Sequence, residues 1–383
     1  MAVDLSPRSD QFSMLSIGWK AMSMRLLITT CAIFLVGSPL SARETISISA
    51  DKPYQHKPSG LIVPPTLADL PRIEATILTA DLDEFVQFET ADGREALTVY
   101  VFRKTNGSVP VWADRAAWQI ENRAIYGGAK PVKAVAAFTP PGQTNPSGLI
   151  ATYVTGSGPF RSTAFALLPV GDEWYVKFRY SSATIEPAAL DTQMRQAIAA
   201  IKWPKSRDPQ PDAAPIGDCP APLTLAGPAS TSKSSVEATL LMAAALSAAA
   251  DGDKSARGSR QASRTPAMQW CRDPGRYDAL KSAKVYRPIG TSDQYLLAFG
   301  DAGVAAWVAP EGDLPKLLGK GEVPGWAVKL NLLGATNIYA RRDRLPPPDQ
   351  VAKIIEQEAP SAIVTTWGRK REIRIDSGTS TPK

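Results

Sequence analysis

The sequence predicts two α+β domains, each a largely antiparallel sheet with flanking helices, joined by a proline-rich linker. A chain of 383 residues is too long for one hydrophobic core, and its 44% hydrophobic residues are enough to form two. Its 33 prolines and 27 glycines separate short β-rich runs, which is typical of sheets. Residues 205–218 contain several prolines and no apolar period, which indicates a linker. We therefore predict domains at 59–204 and 219–376 and a disordered tail at 377–383.

The amino terminus has the features of a secretory signal. Within residues 1–42, Arg25 precedes the uncharged run 26–37, and small residues follow up to Ala42. A helix over that run would rise only about 18 Å, which is short of the roughly 30 Å hydrocarbon layer. We predict cleavage between Ala42 and Arg43, no permanent membrane span in the mature chain, and a periplasmic or secreted location.

Charge and the translation start leave alternatives open. The signal is compact and begins near Met22 or Met24, so translation could start at either of them or at Met1. The net charge of +6 could attract an anionic lipid or polysaccharide, although solubility alone would also explain it. Export makes nucleic acid an unexpected partner.

Cysteine usage predicts one disulfide. Cys31 lies within the signal and should leave with it, so Cys219 and Cys271 are the two cysteines of the mature chain. An exported chain meets an oxidising compartment, and the spacing of this pair fits no redox or zinc motif. Two reduced thiols in apolar surroundings are the alternative.

The first domain opens with a predicted hairpin. Residues 43–58 should form an extended lead-in, since they contain prolines and no amphipathic period. The β-rich runs 85–88 and 96–102 flank Asp92 and Gly93, a pair that is typical of hairpin turns. Both alternating sets of the second run are largely apolar, which predicts a central strand covered on both faces.

A helix is predicted next, over 110–125. A broad apolar arc that includes Trp112 should face the core. Val111, Trp118 and Ile125 form a second, narrower seam at seven-residue spacing. This seam could pack under a loop or against the second domain, or it could form a partner surface.

The rest of the first domain alternates strands with one clear helix. Strands are predicted at 132–138, 149–154, 163–168 and 174–180. The last of these alternates large apolar residues with Tyr175, Lys177 and Arg179, which predicts one buried and one wetter face. Pro187 should begin a helix, because apolar residues then recur at helical spacing until Ile201.

This element order resembles the PsbP-like α/β sandwich. The resemblance runs from the Asp92-Gly93 hairpin, through the helix near Trp112 and the hairpin that ends in 174–179, to the helix ending at 201–203. It covers about residues 59–204 and implies an antiparallel sheet flanked by helices, with a non-enzymatic accessory or binding role. It places no functional residue of that family on this sequence.

The second domain has weaker but regular signals. Ser234 and Glu237 form a capping box ahead of a helix predicted over 236–250, and the polar stretch 251–264 should be a loop. A second helix should begin at Pro347 or Pro348 and end at Gln357. Strands are predicted at 284–287, 295–299, 304–308, 326–330, 336–339, 363–367 and 372–375.

The inventory of reactive residues excludes most familiar catalysis. His56 is the single histidine and lies in the lead-in, so we predict a solvated side chain and no Ser-His-Asp or Cys-His mechanism. Ser230 and Lys233 have the S-x-x-K spacing, but the companion S-D-N and K-T-G elements are missing. We interpret them as linker and helix start, and we predict no catalytic residue.

Metal and cofactor motifs are also incomplete. Asp81, Asp83 and Glu84 could offer oxygens to calcium, but they lack the glycine and distal glutamate of a calcium loop. Solvated turn carboxylates are the preferred interpretation. Neither 312–321 nor 156–158 completes a phosphate-binding glycine motif. The sequence therefore predicts no metal ion and no cofactor.

Basic residues cluster near the carboxyl terminus. Arg369, Lys370, Arg371 and Arg374 lie close to Trp367 and could bind an anionic envelope polymer or a phospholipid head group. A charged strand edge that blocks sheet-to-sheet aggregation is the alternative interpretation.

Together these patterns favour an exported, non-catalytic binding or assembly factor of the cell envelope. Its partner could be an envelope protein or an anionic envelope polymer. The alternative is a hydrolase that acts on envelope material. A concave site in which a serine, lysine or carboxylate meets a second polar group would distinguish the two hypotheses.

Overall fold

The computed structural model describes residues 44–205, 209–232, 268–277, 280, 282–311, 325–368 and 372–375. Several predicted features lie outside these residues. They are the signal segment with its cleavage site, Lys233, the capping box of Ser234 and Glu237 with the helix over 236–250, the loop over 251–264, the basic residues Arg369, Lys370 and Arg371, and the tail at 377–383.

Two antiparallel sheets dominate the described protein, and its α-helices number only three. The strands of the first half are β1 (Glu44–Thr45), β2 (Tyr54–His56), β3 (Leu61–Val63), β4 (Thr66–Leu67), β5 (Leu70–Thr79), β6 (Asp83–Glu89), β7 (Glu95–Arg103), β8 (Lys130–Pro131), β9 (Ala136–Phe138), β10 (Gly148–Val154), β11 (Ser162–Val170) and β12 (Trp174–Ser182). β2 and β3 pair separately, and the others form a ten-stranded sheet in the order β1-β5-β6-β7-β12-β11-β10-β8, with β4 on β5 and β9 on β10.

The predicted hairpin and central strand are confirmed. β6 and β7 pair on either side of Asp92-Gly93, and Gly93 adopts a φ of +69°, which a residue with a Cβ rarely tolerates. β7 lies between β6 and β12; Leu97, Val99 and Val101 are fully buried on one face and Phe102 on the other. Apolar side chains on both faces therefore mark the middle of this sheet.

One helix covers each face of the first sheet. Helix α2 (Pro187–Ala200) buries Leu190, Met194, Ala197 and Ile198, as the spacing predicts. Helix α1 (Val109–Asn122) buries Trp112, Ala116 and Ile120 on the opposite face. The ion pair between Asp191 and Arg195 on α2 is also present, at 2.9 Å.

The second sheet contains eight strands in sequential order. They are β13 (Trp270–Arg272), β14 (Lys284–Pro288), β15 (Tyr295–Ala298), β16 (Ala305–Pro310), β17 (Trp326–Asn331), β18 (Ala335–Ile338), β19 (Ala362–Thr365) and β20 (Ile373–Ile375). Helix α3 (Pro348–Gln357) buries Val351, Ile354 and Ile355 against this sheet's core. Each predicted strand of this domain is found within a few residues, and β13 is an additional one.

Residues 209–218, called the strap below, lie against the first domain. The Ala213 N–H donates to the Pro146 carbonyl at 2.8 Å, and Asn145 Nδ2 donates to Asp212 at 2.8 Å. At its end the strap runs beside β13, where the Arg272 N–H donates to the Gly217 carbonyl at 2.9 Å. These contacts give the segment between the domains a fixed path.

The predicted pairing of Cys219 with Cys271 is confirmed. Their Cα atoms lie 4.9 Å apart and their sulfurs are bonded. The bond joins the residue after the strap to β13, so it anchors the start of the second domain to that domain's first strand.

A buried ionic cluster joins the two domains. Asp301, in the turn between β15 and β16, lies 2.7 Å from Lys177 Nζ and 3.4 Å from Arg179 Nη2. Burial alone would raise the pKa of Asp301, but the charges of Lys177 and Arg179 lower it to about 2. Arg115 on α1 adds a hydrogen bond from Nε to the Gly300 carbonyl at 2.8 Å.

This cluster corrects the prediction of a wetter face on β12. All nine residues of that strand are buried, including Tyr175, Lys177 and Arg179. The two cations are tolerated because Asp301 of the second domain neutralises them and because Lys177 Nζ lies 4.6 Å from the Tyr100 ring. The alternation in β12 predicts a half-exposed strand, but the second domain covers the face that was expected to be exposed.

Candidate functional site

A cleft of about 1000 Å³ lies where the strap, the first domain and the second domain meet. One side is the segment 106–110, which leads into α1, and another is the strap itself. The second domain supplies the third side through Met268, Trp270, Ile289 and Trp307. Neither domain contains the whole cleft, so the site depends on how the strap joins them.

Lys104 supplies a cation to this cleft. Its Nζ donates to the Gly171 carbonyl at 2.8 Å and to Gln210 Oε1 of the strap at 2.9 Å, and it lies 5.1 Å from the Tyr175 ring. Burial lowers the pKa of Lys104 to about 8, against the opposing charge of Asp172. An ammonium group has three donors, and these two bonds use two of them.

Two residues that line the cleft have a hydroxyl group with no hydrogen-bond partner among the described residues. Tyr175 is only 5% exposed, and its hydroxyl makes no hydrogen bond there. Burial raises the pKa of this phenol, so it stays neutral and can donate. The second is Ser108 Oγ, which is fully buried. Ser108 is the N-cap of α1, yet its side chain does not cap the helix.

The second-domain side of the cleft is apolar. Trp270 and Trp307 make an edge-to-face contact with ring centroids 5.9 Å apart. Met268 and Ile289 stand beside them and are 50% and 59% exposed. Large apolar side chains with this exposure, grouped along one wall of a cleft, are typical of a binding surface.

Two carboxylates also line the cleft, and each accepts a hydrogen bond from an amide. Gln210 Nε2 donates to Asp172 Oδ1 at 3.4 Å, and Asn145 Nδ2 donates to Asp212 Oδ1 at 2.8 Å. The acidic groups thus hold the strap in place. One N–H of Lys104 and the hydroxyl of Tyr175 are left without a partner among the described residues.

His56 lies elsewhere, and the prediction of a solvated histidine is wrong. The lead-in folds back as the β2–β3 hairpin, which leaves His56 only 1% exposed. Its Nδ1 lies 2.7 Å from Ser59 Oγ, and its ring makes an edge contact with Trp174 at 4.6 Å. Burial lowers the pKa of His56 to about 4.

This burial predicts a measurable loss of stability in mild acid. The unfolded chain takes up a proton near the ordinary pKa of 6.5, and the folded chain does so only near 4, so protons favour unfolding between these values. From pH 7 to pH 5 the unfolding free energy should fall by about 2 kcal/mol through this residue. His56→Gln should remove that part of the slope.

Nuclear magnetic resonance provides the direct measurement, because the chain has one histidine and hence one imidazole signal set. A folded-state titration midpoint near 6.5 would contradict the burial of this ring. Urea unfolding of both proteins at the two pH values supplies the energetic comparison.

Two of the three carboxylates predicted to be solvated are buried. Asp81 is exposed, as predicted, but Asp83 is 1% exposed and Glu84 is 7% exposed, because both belong to β6 inside the first sheet. Tyr54 Oη donates a hydrogen bond to Glu84. Desolvation raises the pKa of Glu84, partly offset by that bond. Among the described residues, no three potential metal-binding side chains come together.

The seam predicted on α1 is not one continuous surface. Val111 is fully buried, and Ile125 follows the helix and is 37% exposed. Trp118 is partly buried, with the Arg115 guanidinium 4.9 Å and Lys284 Nζ 5.6 Å from its ring. Because Lys284 belongs to β14, Trp118 lies at the junction of the two domains.

The carboxyl-terminal basic residues are described only in part. Arg374 is exposed on β20 and pairs with Glu372 at 3.2 Å. Trp367 instead packs against Trp174 of the first domain, with centroids 5.6 Å apart, and lies beneath the Arg103 guanidinium. For the S-x-x-K segment, the Ser230 N–H donates to Asp343 at 2.8 Å.

Sequence reasoning missed the cleft because its groups come from separate segments. Lys104 follows a strand, Ser108 precedes a helix, and Tyr175 lies on a strand face that reads as ordinary alternation. The one local signal is a serine ahead of Val109-Pro110, a pattern that is typical of a helix start.

Comparison of the chain with protein-family models, with curated proteins and with solved structures gave no match. Within the residues described here, none of the helices combines the length and apolarity needed to span a bilayer.

Proposed function

We propose that this protein is an exported, non-catalytic binding or assembly factor of the cell envelope, and that it binds its ligand or partner in the cleft between its domains. The observation that carries the proposal is the convergence of Lys104, the free Tyr175 hydroxyl and the apolar Trp270–Trp307 wall in one concavity. Binding sites are typically concave and mostly apolar, with a few placed polar groups.

Hydrolysis by a serine and a lysine would need the lysine nitrogen within hydrogen-bond reach of the nucleophile. Both hydrogen bonds of Lys104 go to carbonyl oxygens, and Ser108 Oγ has no hydrogen-bond partner in the described residues. The cleft therefore supports binding better than it supports the hydrolase alternative. The signal-like amino terminus and the resemblance to the PsbP-like sandwich favour the same accessory role in the periplasm.

Site-specific photo-cross-linking in the native compartment tests this proposal. A photoreactive amino acid at Ile289 should capture a defined envelope component, which mass spectrometry would identify. Ile73 on β5 is the matched control, because it is 54% exposed against 59% for Ile289 but lies outside the cleft. The same adducts from both positions, or none from Ile289, would remove the cleft as the surface that binds an envelope component.

A further inference from the structure

We propose that the cleft binds an apolar ligand that ends in one carboxylate, the chemical class of the fatty acids. This inference rests on the proposed binding function and names the ligand class of that same site. It follows from three properties of the cleft, namely its unused donors, the placement of its carboxylates and its apolar wall.

Two unused polar groups in the cleft can donate hydrogen bonds. Lys104 has a third N–H, and the hydroxyl of Tyr175 makes no hydrogen bond in the described residues, whereas Ser108 Oγ is unpartnered there but fully buried. The start of α1, a helix of 14 residues, adds the partial positive charge of its amino terminus. A carboxylate only accepts hydrogen bonds and can accept several, so it complements this set.

The charge balance limits the ligand to a single negative charge. Among the residues that the structure describes, Lys104 is the one cation that lines the cleft, and Asp172 and Asp212 also line it. These two carboxylates accept amide hydrogen bonds from Gln210 and Asn145, which reduces their repulsion without removing it. These carboxylates would repel a phosphate dianion about twice as strongly as a monoanion. The single charge of a monocarboxylate is balanced by the single charge of Lys104.

The remaining surface suits an alkyl chain. The wall of Trp270, Trp307, Met268 and Ile289 contains no charged group, and its methionine can adapt to a flexible chain. The volume of about 1000 Å³ lies at the upper end of the range typical of small-ligand sites. Each methylene buried there should raise affinity by up to about fourfold.

Equilibrium binding to three twelve-carbon probes tests the head group. Dodecanoate, dodecanol and dodecyltrimethylammonium share one alkyl chain and differ in charge. Calorimetry on the full-length protein gives each affinity, with the two ions kept below their micellar concentrations and the alcohol below its solubility limit. We expect dodecanoate to bind at least tenfold tighter than the other two, and tighter than octanoate. Equal affinities, or a preference for the cationic probe, would overturn the carboxylate assignment.

Substitutions test whether Lys104 and Tyr175 bind the carboxylate. Lys104→Met should weaken dodecanoate binding by about 10- to 100-fold, as expected for a lost charge-assisted hydrogen bond, and should leave dodecanol binding unchanged. Tyr175→Phe keeps the ring and should cost about fivefold. Lys130→Gln on exposed β8 is the control and should have no effect. Dodecanoate affinity that survives Lys104→Met in a folded protein would contradict the proposal.

The pH dependence of dodecanoate affinity is an independent test of the role of Lys104. Lys104 loses its proton near pH 8 in the free protein, so dodecanoate affinity should fall above that pH while dodecanol affinity stays level. Asp172, Gln210 and Tyr175 surround the amine, and burial raises the pKa of the Tyr175 phenol, which therefore stays neutral as Lys104 loses its proton.

The two proposals fail in different ways. Specific cross-links from Ile289 without dodecanoate binding would leave the binding function standing and remove the ligand class. Dodecanoate binding of the predicted kind, without an envelope adduct at Ile289, would leave the ligand site and remove the envelope partner.

Discussion

Replacing Asp301 by alanine is expected to lower the free energy of unfolding by about 3–5 kcal/mol. The substitution leaves the buried cations Lys177 and Arg179 without their shared carboxylate, and an uncompensated buried charge costs far more than a lost surface contact. Urea denaturation followed by tryptophan fluorescence would measure the loss.

The matched control is Asp191→Ala on α2. That carboxylate also pairs with an arginine, at 2.9 Å from Arg195, but both side chains are exposed. Such a pair contributes about 0.5 kcal/mol or less. Equal effects of the two substitutions would show that the Asp301 cluster is hydrated in solution and does not hold the domains together.

A compensating variant separates charge from packing. Changing Lys177, Arg179 and Asp301 together to Met, Met and Leu removes all three charges from the interface. Apolar replacements for a buried ionic cluster are often neutral or stabilising, so most of the loss seen with Asp301→Ala should be recovered. If the triple variant does not recover the lost stability, Asp301 stabilises the protein through the conformation of its turn and not through its charge.

Acid should act on this interface at lower pH than on His56. The pKa of Asp301 is lowered from 3.8 to about 2, so its contribution is complete above pH 3.8 and is lost as the pH falls towards 2. His56 acts between 6.5 and about 4. The stability profile should therefore fall in two separate stages, and Asp301→Ala should remove only the second.

Replacing both Cys219 and Cys271 by serine is expected to cost about 4 kcal/mol, the entropy of an open loop of that length in the unfolded chain. The sequence separation of the two cysteines is 52 residues. The measurement is again urea denaturation, with the oxidised wild type compared with the double variant.

Reductant provides the internal control for this prediction. Reduced wild-type protein should match the double variant, because both have lost the cross-link. Adding reductant to the variant should change nothing. An oxidised wild type no more stable than the variant would show that the bond does not constrain the unfolded chain.

Local patterns in the sequence predicted most of the secondary structure. The Asp92-Gly93 turn and the helix after Pro187 depend on residues a few positions apart, so turn chemistry and periodicity identify them. β13 was not predicted, because a strand of three residues is too short to show an alternation of apolar and polar side chains.

Long-range contacts explain what could not be predicted. Lys177 and Arg179 have the alternation of a solvent-facing strand edge, and their partner Asp301 lies 124 and 122 residues further along the chain. His56 is buried by a hairpin of three-residue strands and by Trp174, which belongs to a distant strand. The cleft likewise joins Lys104 to the strap and to β13, and no linear motif encodes that meeting.

The bond between Cys219 and Cys271 turns the intervening chain into a covalent ring. A protease that cuts one peptide bond inside this ring produces two fragments that remain joined through their sulfurs. An electrophoretic gel without reductant would show such nicked material at the mass of the uncut chain, so intactness of this protein has to be judged after reduction.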